Sequence, residues 1–266
     1  MINDFHLHTD FSGDCEVKPE IQIEKAIALG MNRICITDHH DAHVVSDCNF
    51  ELDLPAYVSA MERLREQYRD RIRIEIGIEL GLQNHIGEYL QKVSEEFAFD
   101  FIVGSSHFID GMDPYFPAFF ETRSEKASYE RFFQVSLERI RTLDCFDSYG
   151  HLDYIVRYGP HRNREYRMED YLEYIDPILK TLIEKGKGLE CNTGGFRYGL
   201  GHPNPCEEIL CRYRQLGGEL ITMGSDAHSP DFVGYEFQRA AGILKACGFR
   251  YYTVYHQRRP EWLPLN

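Results

Sequence analysis

Short apolar runs alternate with amphipathic stretches along the chain. The clearest run is 72–79, where four isoleucines occupy every second position and predict a strand that ends at Glu79. Apolar residues at helical spacing follow Pro19, and Gly30 ends that stretch, which predicts a helix between them. By the same reasoning we predict strands near 6–8, 33–37, 101–104, 148–150, 189–192, 220–223 and 251–255, and helices near 55–69, 87–97, 125–142, 168–185, 205–216 and 235–247.

Strand and helix therefore alternate about seven times before the last strand, with no internal repeat, low-complexity tract or linker. This alternation is typical of parallel (β/α) units, and it predicts a distorted seven-stranded (β/α)7 barrel formed by one domain, residues 1–266. In such barrels the chemistry lies at the C-terminal ends of the strands.

Histidines and acidic residues recur at those predicted strand ends. In the first strand, side chains alternate between faces, so His6 and His8 point the same way and can bind one divalent ion together. Asp14 follows after a Ser-Gly turn that could bring its carboxylate back toward them. Each such residue alone could be a hydrogen-bonded core group, but as a set they predict a metal site. The predicted ligands are His6, His8, Asp14, His39, Glu79, His107, His151, Asp226 and His228.

Nine ligands exceed what one ion requires, because a zinc ion with an open position uses about three protein ligands. Two or three clustered ions fit better, with Asp14, Glu79 or Asp226 bridging between them. Imidazole and carboxylate without thiolate suit Zn, Mn or Fe(II). Such ions can activate a bridging water and stabilise the oxygens of an in-line phosphoryl displacement.

The segment 108–123 interrupts the alternation. It contains two prolines, two aspartates and several aromatic residues, so we predict a long active-site loop that covers the strand ends. The simpler interpretation of the aromatic residues 115–120 is a small satellite core under this loop, and the alternative is a wall that faces the substrate.

Seven motifs occur in the order expected of a known family and extend over nearly the whole chain. They are His6-Leu7-His8-Thr9, Ile36-Thr37-Asp38-His39, Gly77-Ile78-Glu79, Gly104-Ser105-Ser106-His107-Phe108, Gly150-His151-Leu152-Asp153, Asn192-Thr193-Gly194-Gly195-Phe196-Arg197 and Gly224-Ser225-Asp226-Ala227-His228. The chain resembles the polymerase-and-histidinol-phosphatase (PHP) family, and within it the histidinol-phosphate phosphatase branch. Asp14 departs from some members of the family, which carry a histidine there.

The resemblance implies a distorted seven-stranded barrel that holds three divalent ions and hydrolyses phosphoesters. For the branch, it implies that L-histidinol phosphate is cleaved to L-histidinol and phosphate, a step of histidine biosynthesis, by a metal-bridging hydroxide. The partner is then a small phosphorylated amino alcohol.

Several further side chains are candidates for substrate binding and proton transfer. Arg197, and with it Arg157, could hold the phosphoryl oxygens in a planar fork, although Arg157 could equally lie on a solvated surface. The leaving oxygen needs a proton, and Asp226, His228, His43 and His202 are the alternatives. Asp110 and Asp113 in the loop could face the positively charged substrate.

Composition narrows the choice of partners. The net charge of −14 argues against binding the nucleic-acid backbone or an anionic membrane, and no apolar run approaches the ~20 residues that span a bilayer. The chain begins without a basic segment and apolar run, so we expect no signal peptide. The eight cysteines are scattered, which favours free thiols and a cytoplasmic location. The oligomeric state cannot be predicted from these patterns.

Three other functions remain open on the residues alone. The chain could act on another small phosphomonoester or a nucleotide. It could be an amidohydrolase-type barrel, which also begins with H-x-H, although that class fits poorly with His39, Glu79 and the Asp226-x-His228 pair. It could also be an inactive barrel that binds metal without catalysis.

Overall fold

A computed structural model describes residues 2–265 of the chain. The predicted domain limits, residues 1 and 266, lie just outside this range. Within residues 2–265 there are eight α-helices: α1 Pro19–Ala28, α2 Leu54–Tyr68, α3 Gly87–Glu96, α4 Glu125–Thr142, α5 Leu172–Glu184, α6 Gly194–Arg197, α7 Glu207–Gln215 and α8 Phe237–Ala246. The strands are β1 Arg33–Ile36, β2 His39–His40, β3 Arg73–Gly81, β4 Phe101–Ser105, β5 Ser148–Tyr149, β6 Gly188–Asn192, β7 Ile221–Gly224, β8 Tyr251–His256 and β9 Arg259–Pro264.

The first seven strands form one parallel sheet. Its order is β1-β3-β4-β5-β6-β7, and β2 also pairs with β3. Because all strands run the same way, their C-terminal ends meet at one edge, and the helices between them cover the sheet. The alternation of strands and helices predicted from the sequence is confirmed, and the result is a curled α/β sheet.

The segment 4–8 lies between the two outermost strands of this sheet. On one side Cys35 N donates to Asp4 O at 2.9 Å, and on the other Phe5 N donates to Met223 O at 3.1 Å. Isolated bridges join Asp4 to Ile34 and Leu7 to Ala227. The predicted first strand is therefore extended backbone held by single bridges rather than a regular ladder.

Helix boundaries follow local signals in the sequence. Pro19 opens α1, the side chain of Asp53 accepts a hydrogen bond from Ala56 N at the start of α2, and Ser124 does the same for Ala127 N at the start of α4. Each of the longer helices turns one apolar stripe to the sheet. In α5 the buried residues recur at helical spacing: Ile175, Ile178, Leu179 and Leu182. Within residues 2–265, none of the helices combines the length and apolar character that crossing a bilayer requires.

A hairpin of β8 and β9 covers the opposite end of the sheet from the strand-end ligands. It is joined there by buried polar contacts: Arg33 Nη2 donates to Tyr255 O at 2.8 Å, and His256 Nδ1 lies 3.0 Å from Glu75 Oε2. The sequence did not predict β9. Its turn places Gln257 and Arg258 at positive φ, and neither residue is a usual signal for such a turn.

One expectation about the cysteines is wrong. Cys211 on α7 and Cys247 at the end of α8 form a disulfide between residues 36 positions apart. The sequence gives no spacing signal for this pair, because proximity arises only when α7 packs beside α8. The other six cysteines are free thiols, as predicted.

Candidate metal centre

The carboxylate of Glu79, at the end of β3, is the centre of the strand-end cluster. It is fully buried, and β2 runs beside it so that His39 is its direct neighbour across the sheet. Imidazole nitrogens of five histidines lie 2.9–3.5 Å from its two oxygens: His6, His8, His39, His107 and His151.

Asp14 and the Asp226–His228 turn complete the group on the other side. His8 Nε2 is 3.4 Å from Asp226 Oδ1, and His228 Nε2 is 3.2 Å from Asp14 Oδ2. His39 reaches Asp14 at 3.8 Å. All nine side chains predicted from the sequence as ligands are thus brought into one connected cluster.

The donor atoms in this cluster fit metal ions. Among residues 2–265, thirteen buried side-chain atoms have no hydrogen-bond partner, and five of them belong to the cluster: His6 Nε2, His8 Nε2, His39 Nδ1, Glu79 Oε2 and His228 Nε2. Buried polar atoms are costly without a partner, and these five lie together. A divalent cation would satisfy the lone pairs that the protein leaves unpaired.

Within the cluster, three groups of three side chains each place their ligand atoms close enough to share an ion. They are His8 with His39 and His228, His6 with His8 and Glu79, and His39 with Glu79 and His107. Two further such groups, Glu75 with Asp100 and His256, and Glu125 with His161 and Glu165, lie elsewhere in the described residues. The three groups of the cluster share members, so neighbouring ions would have common ligands.

The far nitrogens of His8 and His107 are held by hydrogen-bond acceptors. Ser12 Oγ donates its only proton to Asp38 at 2.7 Å, so it can only accept from His8 Nδ1 at 3.1 Å. His107 Nδ1 lies 3.1 Å from both oxygens of Asp41. An acceptor at Nδ1 keeps the proton there and directs the Nε2 lone pair into the cluster.

Electrostatics keep the central acids ionised. Burial raises the pKa of Glu79, but the charges of His6 and His39 outweigh burial and hold that pKa well below its usual range. Burial likewise raises the pKa of Asp226, but the charge of the neighbouring Arg157 outweighs burial and holds that pKa well below its usual range. Ionised carboxylates are the form that binds cations.

Arg157 is buried, which excludes the alternative that it lies on a solvated surface. Its Nη1 donates to Asp226 Oδ2 at 2.9 Å, its Nη2 to Asn192 Oδ1 at 2.9 Å and its Nε to Asn204 Oδ1 at 2.8 Å. The guanidinium also lies over the ring of Tyr198, 4.8 Å from its centroid. Arg157 is therefore fixed in one orientation beside the cluster.

A cavity of about 360 Å³ opens onto the cluster. Six of the nine predicted ligands line it, together with Arg157 and Arg197. Its wall is aromatic and acidic: Phe50, Phe108, Tyr115, Phe116, Tyr154, Tyr158, Tyr198, Asp41, Asp47 and Asp113. Arg157 and Arg197 complement the charge of a phosphate ester, and the aspartates of the wall complement a cationic group on the same molecule.

The sequence profile of the PHP domain matches residues 4–194, a range that contains most of the cluster. The chain belongs to the PHP family. This assignment sets aside the amidohydrolase-type alternative.

Two curated PHP relatives match the chain over nearly their full length. A probable histidinol-phosphatase from Clostridium acetobutylicum is 30% identical over 265 residues, which cover 97% of this chain and 98% of the relative. A histidinol-phosphatase from Lactococcus lactis is 31% identical over 252 residues, covering 92% and 91%.

A solved structure extends the similarity to the fold. It is histidinol phosphate phosphatase from Lactococcus lactis, complexed with zinc, L-histidinol and phosphate. It matches with a TM-score of 0.91 and 28% identity, covering 98% of each chain.

Three predicted substrate or proton-transfer residues lie away from the cavity. His43 is exposed and stacks on Tyr89, with ring centroids 5.4 Å apart. His202 Nδ1 contacts Pro203 O at 2.6 Å. The Asp110 carboxylate pairs with two arginines of its own region, Arg123 and Arg131. The described cavity lining contains none of these three side chains.

Of the two loop aspartates that the sequence offered as substrate-binding candidates, Asp113 lines the cavity and Asp110 does not. Asp113 Oδ1 accepts from Tyr115 N at 2.8 Å, and burial raises the pKa of Asp113. Phe108, Tyr115 and Phe116 from the same loop also line the cavity.

Sequence reasoning missed several residues that support the ligands, among them Asp41 and Ser12. Asp41 had a signal, since it follows two histidines at a strand end. Ser12 had no such signal, because its role depends on contacts with Asp38 and His39. The backbone N of His39 donates to Ser12 Oγ at 3.0 Å.

Proposed function

We propose that this PHP protein is a histidinol-phosphatase, a metal-dependent phosphomonoesterase that hydrolyses L-histidinol phosphate to L-histidinol and phosphate. The observation that carries the proposal is the full-length match to a Lactococcus lactis phosphatase that holds zinc, L-histidinol and phosphate. The curated relatives with the same described activity support it.

We further propose that three divalent ions occupy the cluster, with zinc as the first candidate and Mn or Fe as alternatives. The three overlapping ligand groups support this number, and the nitrogen and oxygen donors suit these metals. His151, Asp14 and Asp226 would complete the coordination. When bound, such ions supply Lewis-acid stabilisation of phosphoryl oxygens and acidify water.

Arg197 and Arg157 would both bind the phosphoryl group. Arg197 lies at the cavity between the rings of Tyr198 and Phe232, about 5 Å from each centroid. Its N–H groups would donate to the phosphoryl oxygens of the substrate. Arg157 donates three of its five N–H groups within the described chain. The other two remain for the phosphoryl oxygens.

Asp226 is suited to carry the proton. It is ionised beside Arg157 and lines the cavity, so it can accept a proton from the attacking water and pass it to the leaving histidinol oxygen. One carboxylate would then serve both steps, and His228 would remain a ligand.

The amine and imidazole of histidinol would face the outer part of the cavity. Asp113, Tyr115 and Phe116 are there, and a carboxylate with aromatic faces suits a cationic group. We propose on this ground that 108–123 is the active-site loop.

Finer points of organisation belong to the same proposal. The contacts of segment 4–8 with both outer strands support closure of the sheet into a distorted (β/α)7 barrel. We also propose that residues 1–266 form one domain, and that the enzyme works in the cytoplasm. The direct test is release of phosphate from histidinol phosphate, compared with nucleotide monophosphates.

A further inference from the structure

Glu190 lies behind His6, at the middle of β6, and is only 2% exposed. Its Oε1 is 2.6 Å from His6 Nδ1, whereas the other ring nitrogen, Nε2, faces Glu79 at 3.2 Å. Among the described residues, Glu190 belongs to none of the ligand groups that could share an ion and is absent from the cavity lining. Its carboxylate therefore touches the site only through other residues.

The second oxygen of Glu190 faces two groups that can only donate. Oε2 accepts from His151 N at 2.9 Å and from Asn192 Nδ2 at 3.0 Å. The Asn192 amide cannot turn over, because its Oδ1 already accepts from Arg157 Nη2 and Gly194 N, each at 2.9 Å. The Oε2 position therefore requires an acceptor.

Strand β7 leaves room for this pair at Gly224. A Cβ on Gly224 would lie 2.3 Å from His6 Cβ and 2.4 Å from Glu190 Oε1. Glycine within a strand often marks such a close approach. The absence of a side chain at Gly224 therefore allows His6 and the Glu190 carboxylate to occupy this space side by side.

We propose that Glu190 is a positioning residue that holds the proton of His6 on Nδ1 and so keeps Nε2 available as a metal ligand. The proposal rests on the metal-dependent function proposed above and adds a residue to it. The same hydrogen bonds continue from Glu190 through Asn192 and Arg157 to Asp226. The chain thus joins His6 to Asp226 on the far side of the cluster.

The isosteric change Glu190→Gln makes a specific prediction. Because Oε2 must be an acceptor, the glutamine oxygen takes that position and its NH2 group faces His6 Nδ1. His6 Nδ1 must then accept, so its proton moves to Nε2, the atom that should bind metal. A substitution that preserves the size of the side chain and removes only its charge should therefore prevent His6 Nε2 from binding metal.

The test uses the full-length zinc-loaded protein. Nitrogen NMR of 15N-histidine protein reports which nitrogen of His6 carries a proton, with the signal assigned by its loss in His6→Asn. Zinc affinity is measured by competition with a chelator. The control is Asp147→Asn, a buried carboxylate outside the candidate metal groups, which accepts from Ile102 N at 2.9 Å and pairs with Arg258 of the hairpin turn.

We expect a protonated Nδ1 in wild type, its loss in Glu190→Gln, and zinc binding about 10- to 100-fold weaker in that variant. Asp147→Asn should keep both properties. Wild-type zinc affinity in Glu190→Gln, or an unprotonated Nδ1 in wild type, would overturn the proposal. If the variant does not fold, the wild-type spectrum still tests the proposal, because an unprotonated Nδ1 would contradict it. Neither measurement uses histidinol phosphate, so both are independent of the proposed substrate.

Discussion

Arg157 and Asp226 form a buried ion pair in which Arg157 Nη1 donates to Asp226 Oδ2 at 2.9 Å. The pair joins the loop after β5 to the end of β7 and leaves Asp226 Oδ1 facing His8 at 3.4 Å. Because both side chains are almost fully buried, neither can exchange its partner for bulk water. The orientation of Asp226 therefore depends on Arg157.

Replacing Arg157 by alanine should damage catalysis more than substrate binding. The change leaves the Asp226 charge buried without its partner and removes a donor from the phosphoryl site. We expect kcat to fall roughly 10²- to 10³-fold, the usual effect of removing one stabilising donor, and KM to change less. Steady-state kinetics measure this, and Arg164→Ala, an exposed arginine of the same loop, should leave the rate unchanged. Equal losses in both variants would refute the assigned role.

Arg197→Ala should raise KM for the phosphate ester and lower kcat/KM, with metal content intact. Arg197 is held by aromatic rings rather than by any predicted ligand, so its loss removes a phosphoryl contact without disturbing the cluster. Elemental analysis beside kinetics separates the two effects. Arg239→Ala, at the exposed surface over Phe196, is the control. Loss of metal from Arg197→Ala would show that its role is assigned wrongly.

The loop aspartates provide a matched pair for substrate recognition. Asp113→Asn should raise KM for histidinol phosphate several-fold, because it removes the charge that faces the substrate cation. It should change little for p-nitrophenyl phosphate, which has no cation. Asp110→Asn, whose carboxylate lies outside the cavity and pairs with Arg123 and Arg131, should affect neither substrate. If Asp113→Asn affected both substrates equally, Asp113 would have no part in recognising the cation.

The grouping of the predicted ligands at one edge of the sheet could be expected from the sequence, because it follows from chain direction. Parallel strands bring their C-terminal ends to one edge, so His39, Glu79 and His107 meet whatever the details of packing. The same rule explains why the alternation of strands and helices was sufficient to predict a parallel α/β sheet.

The supporting contacts could not be predicted, because they depend on packing between distant segments. Glu190 approaches His6 across 184 positions, and Arg157 finds Asn204 across 47. Asp110 and Asp113 are equivalent as sequence, and only the fold of 108–123 decides which one reaches the cavity. The Cys211–Cys247 disulfide arises in the same way, from the packing of two helices.

The most direct test of the account is phosphate release from L-histidinol phosphate by the zinc-loaded protein. Wild-type protein should hydrolyse it with a higher kcat/KM than any nucleotide monophosphate. A chelator should abolish the activity and added zinc should restore it. Activity that survives complete metal removal, or a preference for nucleotides, would contradict the proposed function.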